Sequence, residues 1–333
     1  MVVATETDLR TGPALQKAVR AFAKEDRARS WRLLIVTMVV LFGAEAVTAL
    51  APWFWLRCVA MLIAGLTSVR MFIFVHDHLH GAVFRDSPAG KAIMWLYSLY
   101  SLNPASVWRE THDYHHRNNA KMLGGAIGSF PVVTTRMWKA MNPSQRRWYA
   151  FARHPLNILV GYFTIFVGGM CLSSFFRRPT VHWQGPASIL LHFGLGAVVS
   201  VLTGVWYAGI MAVLMPQFIA CMLGSYLFYV QHNFPDIQLR DRRNWDYQFA
   251  ALNSSSMFDM SPMMHWFTGN IGYHHVHHLN HRIPFYRLPE AMDAVPELQS
   301  PTRTTWHPRD IAAALRLKVW DPRAKRMVGW AEL

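Results

Sequence analysis

Gly272-Tyr273-His274-His275-Val276-His277-His278, followed by Leu279 and Asn280, is the stretch of this chain best equipped for chemistry. Two earlier clusters answer it, His76-Asp77-His78-Leu79-His80 and His112-Asp113-Tyr114-His115-His116. As spacings they read H-x3-H, H-x2-HH and again H-x2-HH. Residues three or four apart share a helix face, so each cluster can aim two or three imidazoles at one point. Such convergence is costly as packing and natural as ligation, because neutral imidazole suits iron and zinc. The pattern predicts a polyhistidine metal centre with two irons, held by His76, His80, His112, His115, His116, His274, His277 and His278. His78 and His275 fall between the ligands and point away from them on an ideal helix, so they stay outside the set.

The carboxylates Asp77 and Asp113 each adjoin a histidine, where they can accept an imidazole N–H and fix its tautomer. Asn270, four residues before His274, is expected to act similarly. Carboxylate di-iron sites of soluble bundles use Glu and Glu-x-x-His pairs, and no such pair lies in these clusters. His232 follows an aromatic helix end (Tyr226, Phe228, Tyr229), level with the clusters, and is expected as a further ligand. His192 stands alone on an apolar run and reads as a packed core histidine. His154, His182, His265, His281 and His307 have no cluster spacing and read as ordinary.

The elements that position these residues are set by composition. Of 333 residues, 52% are apolar and only 16% charged, against roughly 25% charged in soluble domains. The fold class expected is an all-α integral membrane protein. Four transmembrane helices are expected at about 33–50, 53–75, 187–206 and 208–230, each near the ~20 residues that cross a bilayer. Interfacial or re-entrant helices and a cytosolic helical cap complete it. Residues 93–107 are short and contain Asn103-Pro104, so they read as re-entrant. Residues 156–176 are flanked by Arg153, Arg177 and Arg178 and read as interfacial, since a crossing there would put the third cluster on the wrong side. Arg70, near the first cluster, is expected either to face the site or to snorkel.

The organisation that follows is an N-terminal arm (1–30), a membrane unit (31–290) and a cytosolic tail (291–333). Ala14 to Arg29 reads as an amphipathic helix on the membrane surface, or as a loose tail. Residues 109–155 carry the second cluster, a Gly-rich loop (Gly124, Gly125, Gly128) and basic Arg146, Arg147 and Arg153. The net charge of +14 flanks apolar segments instead of forming a stripe, which fits the positive-inside rule and excludes a nucleic-acid partner. Both termini and all three clusters are therefore expected on the cytoplasmic side. The first thirty residues are polar, so no cleavable signal peptide is expected. Cys58, Cys171 and Cys221 lie in apolar runs without iron–sulfur spacing.

These residues resemble the membrane fatty-acid desaturases. His76-Asp77-x-x-His80, His112-x-x-His115-His116 and His274-x-x-His277-His278 match that family's three histidine boxes in order and in membrane position. Trp266 to Leu279, Ile283-Pro284-x-Tyr286-x-Leu288 and Tyr229-Val230-Gln231-His232-Asn233-Phe234 look like bacterial acyl-lipid desaturases. The resemblance implies a stalk of four crossings under a di-iron cap. It also implies an O2-dependent reaction that takes two hydrogens from adjacent carbons of a fatty acyl lipid in the bilayer. It maps the family's additional histidine onto His232. The acyl-CoA branch places an Asn one helical turn before that histidine to hold a water on the metal. Here the position is Phe228, which favours a lipid-linked substrate. With no fused cytochrome b5 visible, electrons must come from an external donor, a ferredoxin or a cytochrome b5-like protein. Two alternatives use the same residues differently: a di-iron hydroxylase, ketolase or alkane monooxygenase, and a non-enzymatic metal-binding or transport protein. The latter should carry its ligands at mid-membrane, where His192 alone lies.

Overall fold

A computed structural model describes residues 9–122 and 127–333. Gly124 and Gly125 of the expected loop, and the first residues of the N-terminal arm, lie outside the described residues. Among the described residues, helix dominates, with two small two-stranded sheets.

Four helices are long and apolar enough to cross a membrane: Arg27–Leu50, Phe54–Leu79, Gln184–Thr203 and Ile210–Val230, of 24, 26, 20 and 21 residues. At about 1.5 Å per residue they measure roughly 30–39 Å, enough for a hydrocarbon core of ~30 Å. The first begins six residues earlier than expected, because Asp26 caps it by accepting from Arg29 N. The second extends beyond residue 75 to Leu79 and so carries the first cluster on its last turns. The third stops at Gly204, whose φ of +67° suits glycine. The fourth opens as a π-helix (Ile210–Leu214) and becomes α-helical at Met215, next to Pro216, which supplies no N–H.

Two shorter segments fill the stalk. Pro88–Tyr100 enters from the cluster end and reaches deep, where the Tyr100 hydroxyl donates to Glu45 Oε1 at 2.7 Å. The chain then turns at Leu102 (φ +59°) and Asn103-Pro104 and returns in helix Ala105–Asn118. Tyr162–Arg177 spans no more than roughly 24 Å and is mostly π-helical. His192 is buried there, bonded to Tyr100 O (2.9 Å) and the Tyr162 hydroxyl (2.8 Å).

The cap is assembled from both ends of the chain. The N-terminal helix is Gly12–Arg20, and it buries Leu15 and Val19 against the protein's own core instead of lying on lipid. Gln16 donates to Leu279 O, Gly12 exchanges hydrogen bonds with Gln248, and Asp26 N donates to the Tyr286 hydroxyl. Residues beyond 291 pack into the same cap. Arg303–Thr304 pairs in parallel with Met257–Phe258, and Val319–Asp321 pairs antiparallel with Arg326–Val328. Arg153 is fully buried and donates to Pro131 O, the Tyr229 hydroxyl, Asn233 Oδ1 and Leu317 O, which fastens this region to the end of the fourth long helix.

Arg70 neither faces the clusters nor snorkels. It is buried, donating to Thr37 Oγ1 (3.0 Å) and Trp266 O, with its guanidinium 4.5 Å from the Trp266 ring. It therefore clamps the first two long helices to the segment leading into the third cluster.

Candidate metal centre

The second long helix presents His76 and His80 one turn apart, with His80 as its C-cap. Helix Ala105–Asn118 brings His112 and His116 to one face and His115 to the next. The short helix His274–Leu279 does the same with His277 and His278. The result is two adjoining groups. One comprises His76, His80, His112, His116 and His277, and the other His115, His232 and His278, with the ligand atoms of each group within 4.8 Å of one another. His274 flanks the second group, its Nε2 2.9 Å from that of His232. The groups abut where the His116 and His278 rings stack at 4.4 Å.

Each of these residues is between 1% and 8% exposed. Their Nε2 atoms nearly touch: His112 to His76 at 3.2 Å, His116 to His112 at 3.0 Å, His277 to His116 at 3.1 Å and His115 to His232 at 3.1 Å. Cis ligands on an ion with metal–nitrogen bonds of about 2.1 Å lie roughly 3 Å apart. Both ring nitrogens of His80 and the Nε2 of His278 are buried without a partner, a cost of about 1–3 kcal/mol each that a cation at the focus would remove. The residues therefore fit a metal pair.

Electrostatics agree. Burial, reinforced by neighbouring imidazoles, holds His80, His112, His115, His116, His274, His277 and His278 well below the ordinary histidine range. Burial pushes His232 down to about 4. Neutral imidazoles can ligate without first releasing a proton. His232 Nδ1–H donates to Ser254 O at 3.1 Å, which leaves Nε2 free to ligate.

Asp77 lies where expected. One carboxylate oxygen takes His76 Nδ1–H at 2.9 Å and the other takes Phe285 N–H at 2.7 Å. Asp113 and Asn270 are placed differently. Asp113 is half exposed, and its nearest imidazole is His80 Nδ1 at 3.8 Å, too far for a hydrogen bond. Asn270 adopts φ +54° and donates its amide to Phe285 O at 3.1 Å, so it holds the backbone that Asp77 holds from the other side and touches no imidazole of the clusters. His78 and His275 turn away from the groups, to Val83 O and Leu298 O.

Sequence spacing missed two neighbours, Trp108 and His281, while Phe228 lies one turn before His232 as the sequence placed it. The Trp108 ring lies 3.8 Å from that of His112, and Phe228 lies 5.1 Å from His115 and 5.5 Å from His232. His281, read as ordinary, packs 4.6 Å from His80 and 5.1 Å from His116. Trp108 could have been found one helical turn before His112. His281 follows the point where the helix ends and Asn280 turns extended (φ −151°, ψ 91°), a break that no periodicity signals.

Fold and site together define a multi-spanning membrane protein with a buried, all-histidine metal-binding centre at one end of its stalk. A family model described as fatty acid desaturase matches residues 52–309. The chain belongs to the fatty acid desaturase family and is an oxidoreductase. It is 27% identical to a fatty acid desaturase of Bacillus subtilis (strain 168) over 322 residues, covering 95% of this chain and 90% of the relative. An sn-1 oleoyl-lipid 12-desaturase of Picosynechococcus sp. is 24% identical, covering 86% of this chain and 82% of its own. An sn-1 acyl-lipid omega-3 desaturase (ferredoxin) of Nostoc sp. is 25% identical, over 73% of this chain and 67% of that relative.

Proposed function

We propose that this chain introduces a double bond into a fatty acyl chain carried by a membrane lipid, using O2, two irons and electrons from a separate carrier protein. The observation that carries the reading is the pair of adjoining all-histidine groups, each drawing on more than one box, at the end of four membrane-length helices. The lipid-linked substrate is supported by relatives named for lipid-bound acyl chains.

In this reading His76, His80, His112, His116 and His277 hold one iron, and His115, His232 and His278, with His274, hold the other. The bound pair supplies the oxidant that removes two hydrogens from neighbouring carbons while O2 is reduced to water. The protein's own groups orient and exclude. Asp77 and Ser254 O fix the tautomers of His76 and His232. Trp108 and Phe228 wall the imidazoles with apolar surface and keep bulk water from the reacting carbons. The cap, built from the residues before Arg27 and those beyond 291 together with the histidine-bearing segments, faces the cytoplasm of a bacterial inner membrane, as the basic residues flanking the apolar segments favour.

The test is a fatty-acid profile by gas chromatography and mass spectrometry. The host would lack this activity and express either the parent chain or His277→Ala. A new double bond present only with the parent, and absent without O2, is expected. A hydroxylated or keto product would replace desaturation with oxygen insertion. No new lipid, despite bound iron and a working donor, would refute the substrate.

A further inference from the structure

The desaturase reading requires two electrons from outside for each double bond, and the face on which they arrive can be read from the cap. His281 is only partly buried and packs against buried His80, so it links the first histidine group to the protein surface. The His80 ring faces half-exposed Asp113 on one side and His281 on the other. His281 in turn forms part of the wall of an open groove of about 550 Å³, with Gln16, Tyr247, Gln248, Leu279 and Arg282. The Tyr247 hydroxyl in that wall donates to His278 O at 2.6 Å, so the groove also abuts the second group.

The rim is basic. Arg109 and Arg117 lie one helical turn either side of Asp113 on the same helix, and both are exposed. Both are within Coulombic reach of Asp113, Arg109 and Lys91 are within reach of His78, and Arg282 acts on His281. Lys17 projects from the exposed face of the N-terminal helix, next to Gln16 in the groove wall. The acids at this face include Asp113, Asp246, Glu110 and Glu25, of which Glu110 is already paired with Arg178 at 2.8 Å and Glu25 with Arg27 at 2.9 Å. Arg109, Arg117 and Arg282 have no carboxylate partner within salt-bridge distance among the described residues.

We propose that this groove and its rim form the docking surface for an acidic one-electron carrier protein, and that His281 is where its electrons enter. The inference rests on the desaturase reading. Rim charges of one sign steer a partner of the other and set its association rate. Each docking event oxidises one carrier and passes one electron through the His281 contact with His80 and His116. Two events, two protons and one O2 convert –CH2–CH2– to –CH=CH– and release two waters.

The experiment uses the purified full-length, iron-loaded protein in lipid nanodiscs. The reductant is either a plant-type [2Fe–2S] ferredoxin with its NADPH reductase, or reduced methyl viologen. Arg109→Glu/Arg282→Glu is expected to raise the KM for ferredoxin about tenfold and to flatten the dependence on ionic strength. Turnover driven by viologen should stay at the parent level. Arg147→Glu/Arg323→Glu, exposed positions elsewhere in the cap, should leave the KM for ferredoxin unchanged. His281→Ala should lower kcat at saturating ferredoxin without moving KM while viologen-driven turnover stays at the parent level, and an equal loss with both reductants overturns His281 as the entry point. An unchanged KM in the first variant, or the same rise in the second, overturns the docking surface while leaving the desaturase reading intact. Loss of viologen-driven turnover in the first variant overturns docking as well, because those charges would then act on the site itself. A parent protein silent with both reductants overturns the desaturase reading, and the docking surface with it.

Discussion

Asp77→Asn separates the two duties of one carboxylate. In the parent, Asp77 accepts from His76 Nδ1 at 2.9 Å and from Phe285 N at 2.7 Å, and its side chain is almost fully buried. Asparagine is nearly the same shape but offers one acceptor oxygen and one NH2. If the oxygen stays with His76, the NH2 faces the Phe285 N–H, donor against donor. If the amide flips, the imidazole loses its acceptor. One buried donor is left unsatisfied either way, at about 1–3 kcal/mol. Replacing a charged acceptor by a neutral one also weakens the bond that orients His76. Loss of such a partner costs about 10–100-fold in metal affinity, roughly 1.4–2.7 kcal/mol. The assay dialyses parent and variant against graded chelator and measures iron per chain by mass spectrometry, with melting of the metal-stripped proteins in parallel. The variant should lose iron at about a tenth of the chelator concentration or less and melt at a lower temperature. Iron retention equal to the parent, alongside a lowered melting temperature, would refute the argument that Asp77 acts through His76 and leave it a purely structural residue.

Acid should destabilise the iron-loaded protein through His275, which is buried, donates to Leu298 O and is pushed from 6.5 down to about 4. Because the unfolded state binds the proton first, stability is full above about pH 6.5 and falls as pH drops toward 4. The loss is about 1.4 kcal/mol per pH unit and roughly 3 kcal/mol in all. Melting curves of His275→Gln, whose amide can still reach the carbonyl, should show a shallower slope across that window, and an equal slope contradicts the assignment. Gly209→Ala should destabilise the hairpin of the third and fourth long helices by about 3 kcal/mol, since a Cβ there would lie 1.7 Å from Gly196 O, a backbone atom that cannot swing aside. Gly43→Ala, with nothing within 4 Å, should be neutral or stabilising by up to ~1 kcal/mol. Denaturant titration in micelles compares the two, and equal effects would refute the close approach of Gly209 to Gly196.

What could be read from the sequence is what local periodicity encodes. An i, i+3/i+4 pattern fixes which imidazoles share a face before any tertiary contact forms, so the boxes and the outward turn of His78 and His275 were legible. His232 was legible because an apolar run of known length fixes where its end lies. Tertiary geometry decided the rest. Asp113 and Asn270 have the residue type and spacing of imidazole partners. Yet Asp113 sits on the solvent stripe of its helix, and the positive φ of Asn270 turns its amide to Phe285 O. The N-terminal helix has the pattern of a membrane-surface helix. Nothing in that pattern says that Leu279 O and Gln248 wait beneath it, so its apolar face meets protein instead of lipid. Arg70 shows the same limit from the opposite direction. A cation within an apolar run reads as functional or as snorkelling, and only the fold reveals Thr37 Oγ1 and Trp266 O as its partners. His281 is the case with a consequence for mechanism. It belongs to no box, and the break from helix to extended backbone at Asn280 puts it against His80 and His116. Electron entry is therefore a property of how the third box ends and not of the box itself. A relative that keeps every box residue but changes the residue after Asn280 should keep its metal and lose coupling to its carrier.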